Sequence, residues 1–143
     1  MVEPIVKVLP HSPEEFKSAA KLAEWMGTEL NKDGVYLIAS GSKVKDLGAG
    51  SICLFMKDKK IIGEAIVKEV KPYSGKQQSP VTAKLYERTI YFAPSSVRRY
   101  VNPLGFTNIA NITGRTLSYR SGGHLLWVEY GKCLSEIAKS GFY

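Results

Sequence analysis

Residues 51–71 read SICLFMKDKKIIGEAIVKEVK, and this stretch decides the fold. Two apolar runs, Ser51–Met56 and Ile61–Lys71, flank the charged link Lys57-Asp58-Lys59-Lys60, the pattern of a β-hairpin. Neither run alternates cleanly between polar and apolar residues. A strand with one wet face would alternate, so the pattern predicts a curved sheet or small barrel packed inside and partly covered by a helix. Gly63 interrupts the second run, as a bulge or a close-packed bend requires.

Upstream, Val35–Ala39 is a short, nearly continuous apolar run suited to a strand covered on both faces, and Val2–Leu9 reads as another short strand. Between them, Ser12-Pro13-Glu14-Glu15 has the form of a capping box with proline at the first helical position. Phe16, Ala19, Ala20, Ala23, Met26 and Leu30 then recur at spacings of three and four, which predicts a helix ending at Asn31–Gly34. Downstream, residues 72–80 form the most loop-like stretch, and Ser79-Pro80 is expected to open a short helix reaching Tyr86. Thr89–Ala93 reads as a strand. Ser95 or Ser96 is expected to cap a helix with Tyr100 and Val101 inward and Arg98 and Arg99 outward. Residues 102–123 show little periodicity, His124–Tyr130 reads as a strand, and a short helix is expected to follow Gly131.

The 143 residues fit one domain, with no internal repeat or linker. No apolar run approaches the roughly 18–20 residues of a membrane span, and the N-terminus lacks the pattern of a signal peptide. A cytoplasmic protein with no membrane partner is the expectation. Cys53 and Cys133 lie in apolar stretches without metal-ligand spacing; two small buried hydrophobes is the favoured reading over a disulfide or a metal pair. No metal and no cofactor are expected.

Charge is distributed unevenly. Residues 1–70 hold ten lysines against ten acids, whereas residues 71–143 hold ten Lys and Arg against three acids, a net of +7. All five arginines (Arg88, Arg98, Arg99, Arg115 and Arg120) lie in that second part. Arginine forks match phosphates and base edges, so the asymmetry points to an anionic partner, with a generally basic solvated surface as the plainer alternative. Aromatic residues are interleaved with these cations, among them Tyr73, Tyr86, Tyr91 and Trp127. A base stacked on such a ring gains roughly 1–3 kcal/mol. Core packing is the competing role, and for Trp127 the favoured one.

Catalytic patterns are weak. The glycine-rich segment Gly41–Gly50 has neither phosphate-loop nor dinucleotide spacing, and His124 is the one plausible base of a nucleophilic triad. No catalytic residue is assigned on this basis.

The order of segments resembles the PUA-like superfamily, and a small archaeal family within it. The resemblance runs over about residues 34–135: strand Val35–Ala39, a lysine-containing link, the hairpin ending Ile62-Gly-Glu-Ala-Ile-Val-Lys-Glu-Val, Glu87-Arg-Thr-Ile-Tyr-Phe, and a late Leu-Trp-Val-Glu. It implies a single α+β domain over 1–143: a PUA-like β pseudo-barrel of mixed, mainly antiparallel strands, with an N-terminal helix and short helical insertions. Relatives such as the ASCH and EVE domains bind RNA or modified bases in a cleft beside the barrel. Gly41-Ser-Lys43-Val-Lys-Asp46 is similar to the start of the ASCH motif GxKxxExR, with Asp46 for the glutamate and Gly48 for the arginine.

The resulting expectation is an RNA-binding or modified-nucleotide-recognition domain. Lys43, Arg88, Arg98, Arg99, Arg115 and Arg120 would contact nucleic acid, and Tyr36, Tyr91 and Trp127 would wall an aromatic cleft. One alternative is a small enzyme acting on nucleotides or RNA, which requires His124, Glu64 or Asp46 to converge with Lys43. Another is a protein-interaction module using the Tyr73–Pro80 loop.

Overall fold

The computed structural model describes residues 3–39, 44–117 and 123–143. Lys43 and Arg120 therefore lie outside the described residues. The chain is α+β, built on a mixed, mostly antiparallel seven-stranded sheet in the order β2-β5-β4-β3-β1-β7, with β6 also paired to β4. The strands are β1 (Val6–Pro10), β2 (Val35–Ile38), β3 (Ile52–Lys57), β4 (Lys60–Pro72), β5 (Arg88–Phe92), β6 (Arg98–Gly105) and β7 (Gly123–Leu125).

The hairpin of residues 51–71 is the middle of this sheet. The first half of β4 lies between β3 and β6, and its second half pairs with β5. Ile62 is the extra residue of a bulge, where the register jumps from Phe55–Gly63 to Met56–Ile61. A second irregularity, at Lys68, separates the part of β4 opposite β5 from the rest. These bulges bend the sheet. No described pairing joins β2 to β7, so the pseudo-barrel stays open.

Both faces of the sheet are covered, which is why β3 reads as a continuous apolar run. Ile52, Leu54 and Met56 enter one cluster with Val6, Val8 and Ile61, closed by α3 (Phe106–Thr113) and α4 (Trp127–Ala138). Cys53 and Phe55 point the other way, into a cluster with Tyr36, Ile90 and Phe92. That cluster is closed by Leu22 of α1 (Ala19–Trp25) and by Met26 and Leu30 of a π-helical segment, Met26–Leu30, which runs into a last turn, α2 (Asn31–Asp33). Cys53 and Cys133 are buried in opposite clusters, and burial pushes both thiols up. Among the described residues no helix is long and apolar enough to cross a membrane.

Several local expectations are corrected. The helix expected from Ser12 begins at Ala19, with the Ser18 hydroxyl accepting from Lys21 N–H at 3.2 Å. At Ser12 only half of the capping box forms: its N–H donates to Glu15 Oε1, its carbonyl closes one turn to Glu15 and Phe16, and its own hydroxyl has no partner. Residues 79–86 are irregular rather than helical, pinned by a bridge between Gln78 and Leu85. Ser95 and Ser96 belong to a 3-10 turn, Pro94–Ser96, and Arg98–Gly105 is a strand because Tyr100 is taken into the core while Val101 faces out. The late strand stops at Leu125. Glu129 Oε1 accepts from the Leu126 N–H at 2.8 Å and starts α4 there, with Tyr130, Cys133 and Ile137 as its buried stripe.

Candidate functional site

Gly34 adopts φ 72° at the end of α2 and turns the chain into β2, which lies on the edge beside β5. This places Tyr36 and Ile38 on the face closed by α1, opposite Ile90 and Arg88 of β5. β1 brings Leu9 to the same face, and His11 follows its last residue, Pro10. Between β2, the end of β1 and residues 79–86 lies a cavity of about 430 Å³, lined by His11, Tyr36, Ile38, Val81, Thr82 and Tyr86 among others. That volume falls in the roughly 300–1,000 Å³ range of small-ligand sites. A second cavity of about 300 Å³ shares Tyr36 and Tyr86 and extends toward Trp25 and Asp33.

His11 is held rigidly. Its ring stacks on Phe55 with centroids 5.7 Å apart and meets the edges of Phe16 and Tyr36. Nδ1 lies 3.1 Å from the Met56 carbonyl oxygen and Nε2 2.9 Å from the Tyr36 hydroxyl. Burial pulls its pKa from 6.5 down to about 4, against the opposing effect of the Met56 carbonyl. Burial likewise pushes the Tyr36 phenol well up.

A charged cluster lies along the same face of β1. Lys7 precedes Leu9 by two residues and pairs in register with His124 of β7. Above them, Asp46 accepts from Lys7 Nζ at 3.3 Å and is bonded to His124 Nε2 at 2.8 Å. Burial raises the Asp46 carboxyl, but the His124 and Lys7 contacts outweigh it and hold the pKa below its ordinary value. Residues two apart on a strand face are roughly 7 Å apart, so β1 links this cluster to the cavity through Leu9.

The arginines are dispersed. Arg88 stands opposite Ile38 at the edge of the cavity face, with no ion pair among the described residues. Arg98 donates to Glu64 Oε2 at 2.9 Å and lies 4.3 Å over the Phe142 ring. Arg99 is half-buried, 5.1 Å over Tyr143, and its guanidinium fills the space where a Cβ on Gly27 would stand. Arg115 is bound to Glu129 and to the His124 carbonyl. Tyr91 projects to the other face of β5 beneath Lys71, at 5.8 Å, and Trp127 donates to the Pro4 carbonyl at the start of α4. Of the nine residues named from the sequence, Tyr36 lines the cavity and Arg88 stands in register opposite the lining residue Ile38. Glu64 is on the opposite face, buried among Arg98, Tyr100 and Tyr130, whereas His124 and Asp46 do converge. Sequence reasoning missed the cavity role of His11, whereas Tyr86 was among the aromatics read as candidates for base stacking. The signal for His11 was its place directly after a strand, beside a turn motif.

No family model and no curated protein matches the sequence. Solved structures do match in three dimensions. The crystal structure of ASCH from Zymomonas mobilis superposes with a TM-score of 0.63 over 93% of this chain and 96% of that one, at 11% identity. The fold is that of the ASCH domain. A tyrosine-to-phenylalanine variant of the Zymomonas protein gives a TM-score of 0.60 at 11% identity, covering 92% of this chain and 96% of that one. A hypothetical protein from Leishmania major gives 0.59 at 14% identity over 96% of each chain. At these identities the likeness is one of fold.

Proposed function

We propose that this chain binds RNA or a modified nucleotide, seating one base in the cavity between β1, β2 and residues 79–86. The observation that carries the reading is the cavity itself: walls more apolar than polar, with Tyr36 and Tyr86, the side chains of Ser12, Glu15, Ser79 and Thr82, and a rigid His–Tyr pair, in a protein of net charge +7. Arg88 supplies a cation at its edge. Lys43, named with it from the sequence, lies outside the described residues. The likeness to ASCH folds supports the same class of ligand.

The test is fluorescence anisotropy with a labelled mixed-sequence single-stranded RNA. Binding is expected at about 50 mM salt and should weaken steeply toward 200 mM, because each neutralised phosphate releases a counterion. Tyr86→Ala, at a half-exposed position, should weaken binding without unfolding the chain. Absence of binding to RNA and DNA pools at about 50 mM salt overturns the proposal.

One observation favours a second reading, a hydrolytic enzyme on nucleotides or RNA: the 2.8 Å His124–Asp46 contact orients an imidazole beside Lys7. Turnover of labelled RNA that disappears in His124→Ala would support it; intact RNA after prolonged incubation supports binding alone.

A further inference from the structure

The His11–Tyr36 pair fixes the hydrogen-bonding polarity of one point on the cavity wall. Both side chains line it. His11 Nδ1 faces the Met56 carbonyl oxygen at 3.1 Å, and a carbonyl oxygen can only accept, so Nδ1 carries the hydrogen. Burial lowers the ring to about 4, so at neutral pH the imidazole is uncharged and Nε2 is bare. Nε2 therefore accepts, and the Tyr36 O–H donates to it over 2.9 Å. A phenol has one hydrogen, and here it is committed. What Tyr36 Oη retains is lone pairs. Turning the hydroxyl toward a ligand would strand the buried Nε2, in a ring clamped by Phe55 and Phe16.

We infer, on the reading that the cavity seats a base, that it selects bases bearing an exocyclic amino group over their oxo counterparts. An amino group donates into the lone pairs of Tyr36. An oxo group at that point sets two acceptors against each other and leaves both unsatisfied. A buried acceptor penalises the analogue that cannot donate to it, here by roughly tenfold or more. His11 acts as the positioning residue, because its tautomer gives Tyr36 this polarity.

The experiment titrates the wild-type protein with cytidine, uridine, adenosine and inosine by calorimetry, and reads the His11 tautomer from ¹⁵N NMR shifts near pH 7. Cytidine is expected to bind about tenfold or more tighter than uridine, and adenosine than inosine, with His11 in the Nδ1–H form. Tyr36→Phe, shown folded by its melting curve, should level each pair. Equal affinities, a preference for the oxo bases, or an Nε2–H tautomer overturn the inference. If RNA binds while no nucleoside does, the inference fails and the RNA-binding reading stands; if neither binds, both fail.

Discussion

Glu64 is the buried acid on which the α3/α4 side of the core depends. Its carboxylate is 2% exposed and accepts from Arg98, Tyr100 and Tyr130 at 2.7–2.9 Å. Burial and then Glu64 push both phenols up, and Glu64 raises Arg98 against the opposing effect of burial. Removing the carboxylate strands three donors, so Glu64→Ala is expected to lower unfolding stability by about 3–5 kcal/mol. Glu64→Gln, which keeps an acceptor, should lose less; equal losses in urea titrations would show that the hydrogen bonds are not the cause. Acid sensitivity has two separate residue origins. His11 takes up a proton near pH 6.5 when unfolded but only near 4 when folded, so stability should fall as pH drops through that window, by roughly 3 kcal/mol in all. Glu129, drawn from 4.5 to about 2 by the Arg115 and Leu126 hydrogen bonds, loses its contribution as pH falls from 4.5 toward 2, joined by Asp46 and Asp58. Urea midpoints measured from pH 7 to pH 3 check both. A flat profile between pH 7 and 4 would refute the first, and Glu129→Gln should flatten part of the second.

The elements show which local signals survive tertiary packing. Ser12 carries the stronger capping motif in the sequence, yet its hydroxyl has no partner and Ser18 caps α1. Ser18→Ala is therefore expected to cost about 1 kcal/mol, whereas Ser12→Ala should be neutral or slightly stabilising in thermal melts. The reverse order would restore the motif's own reading. The hairpin was legible because two apolar runs flank one charged link, and Gly63 reads correctly as a close approach: a Cβ there would stand 2.4 Å from the Arg98 carbonyl oxygen and 2.8 Å from Met26 Cε. Gly63→Ala should destabilise by about 1–3 kcal/mol through overpacking. The β6 strand and the start of α4 were illegible for a different reason. Their polar partners are long-range: Tyr100 finds Glu64 36 residues away, and Arg115 finds Glu129 at a separation of 14. Window-based patterns cannot register such pairings. The cavity was partly legible, with Tyr36 and Tyr86 among the aromatics named but His11 not, because three separate segments of the chain build it.

At the scale of the whole molecule, the charge asymmetry of residues 71–143 divides into cations with different work. Arg98 and Arg115 are bound to Glu64 and Glu129, so their charge is internally balanced and their loss acts first on the fold. Arg88 faces the cavity side without an acidic partner among the described residues. Phosphate contacts contribute to the salt slope of RNA binding in proportion to their number, about 0.9 per duplex phosphate and 0.7 per single-strand phosphate. Arg88→Ala should therefore weaken binding of the single-stranded RNA at low salt and reduce that slope by about 0.7, with an unchanged melting temperature. Arg98→Ala should show the opposite signature, a lowered melting temperature, and a slope that is unaltered wherever the variant remains folded. Log-affinity against log-salt plots for the two variants and the wild type separate the cases. Parallel lines for Arg88→Ala and wild type would place the RNA backbone on another face of the protein, and the cavity edge would then lose its role as the entry for an anionic chain.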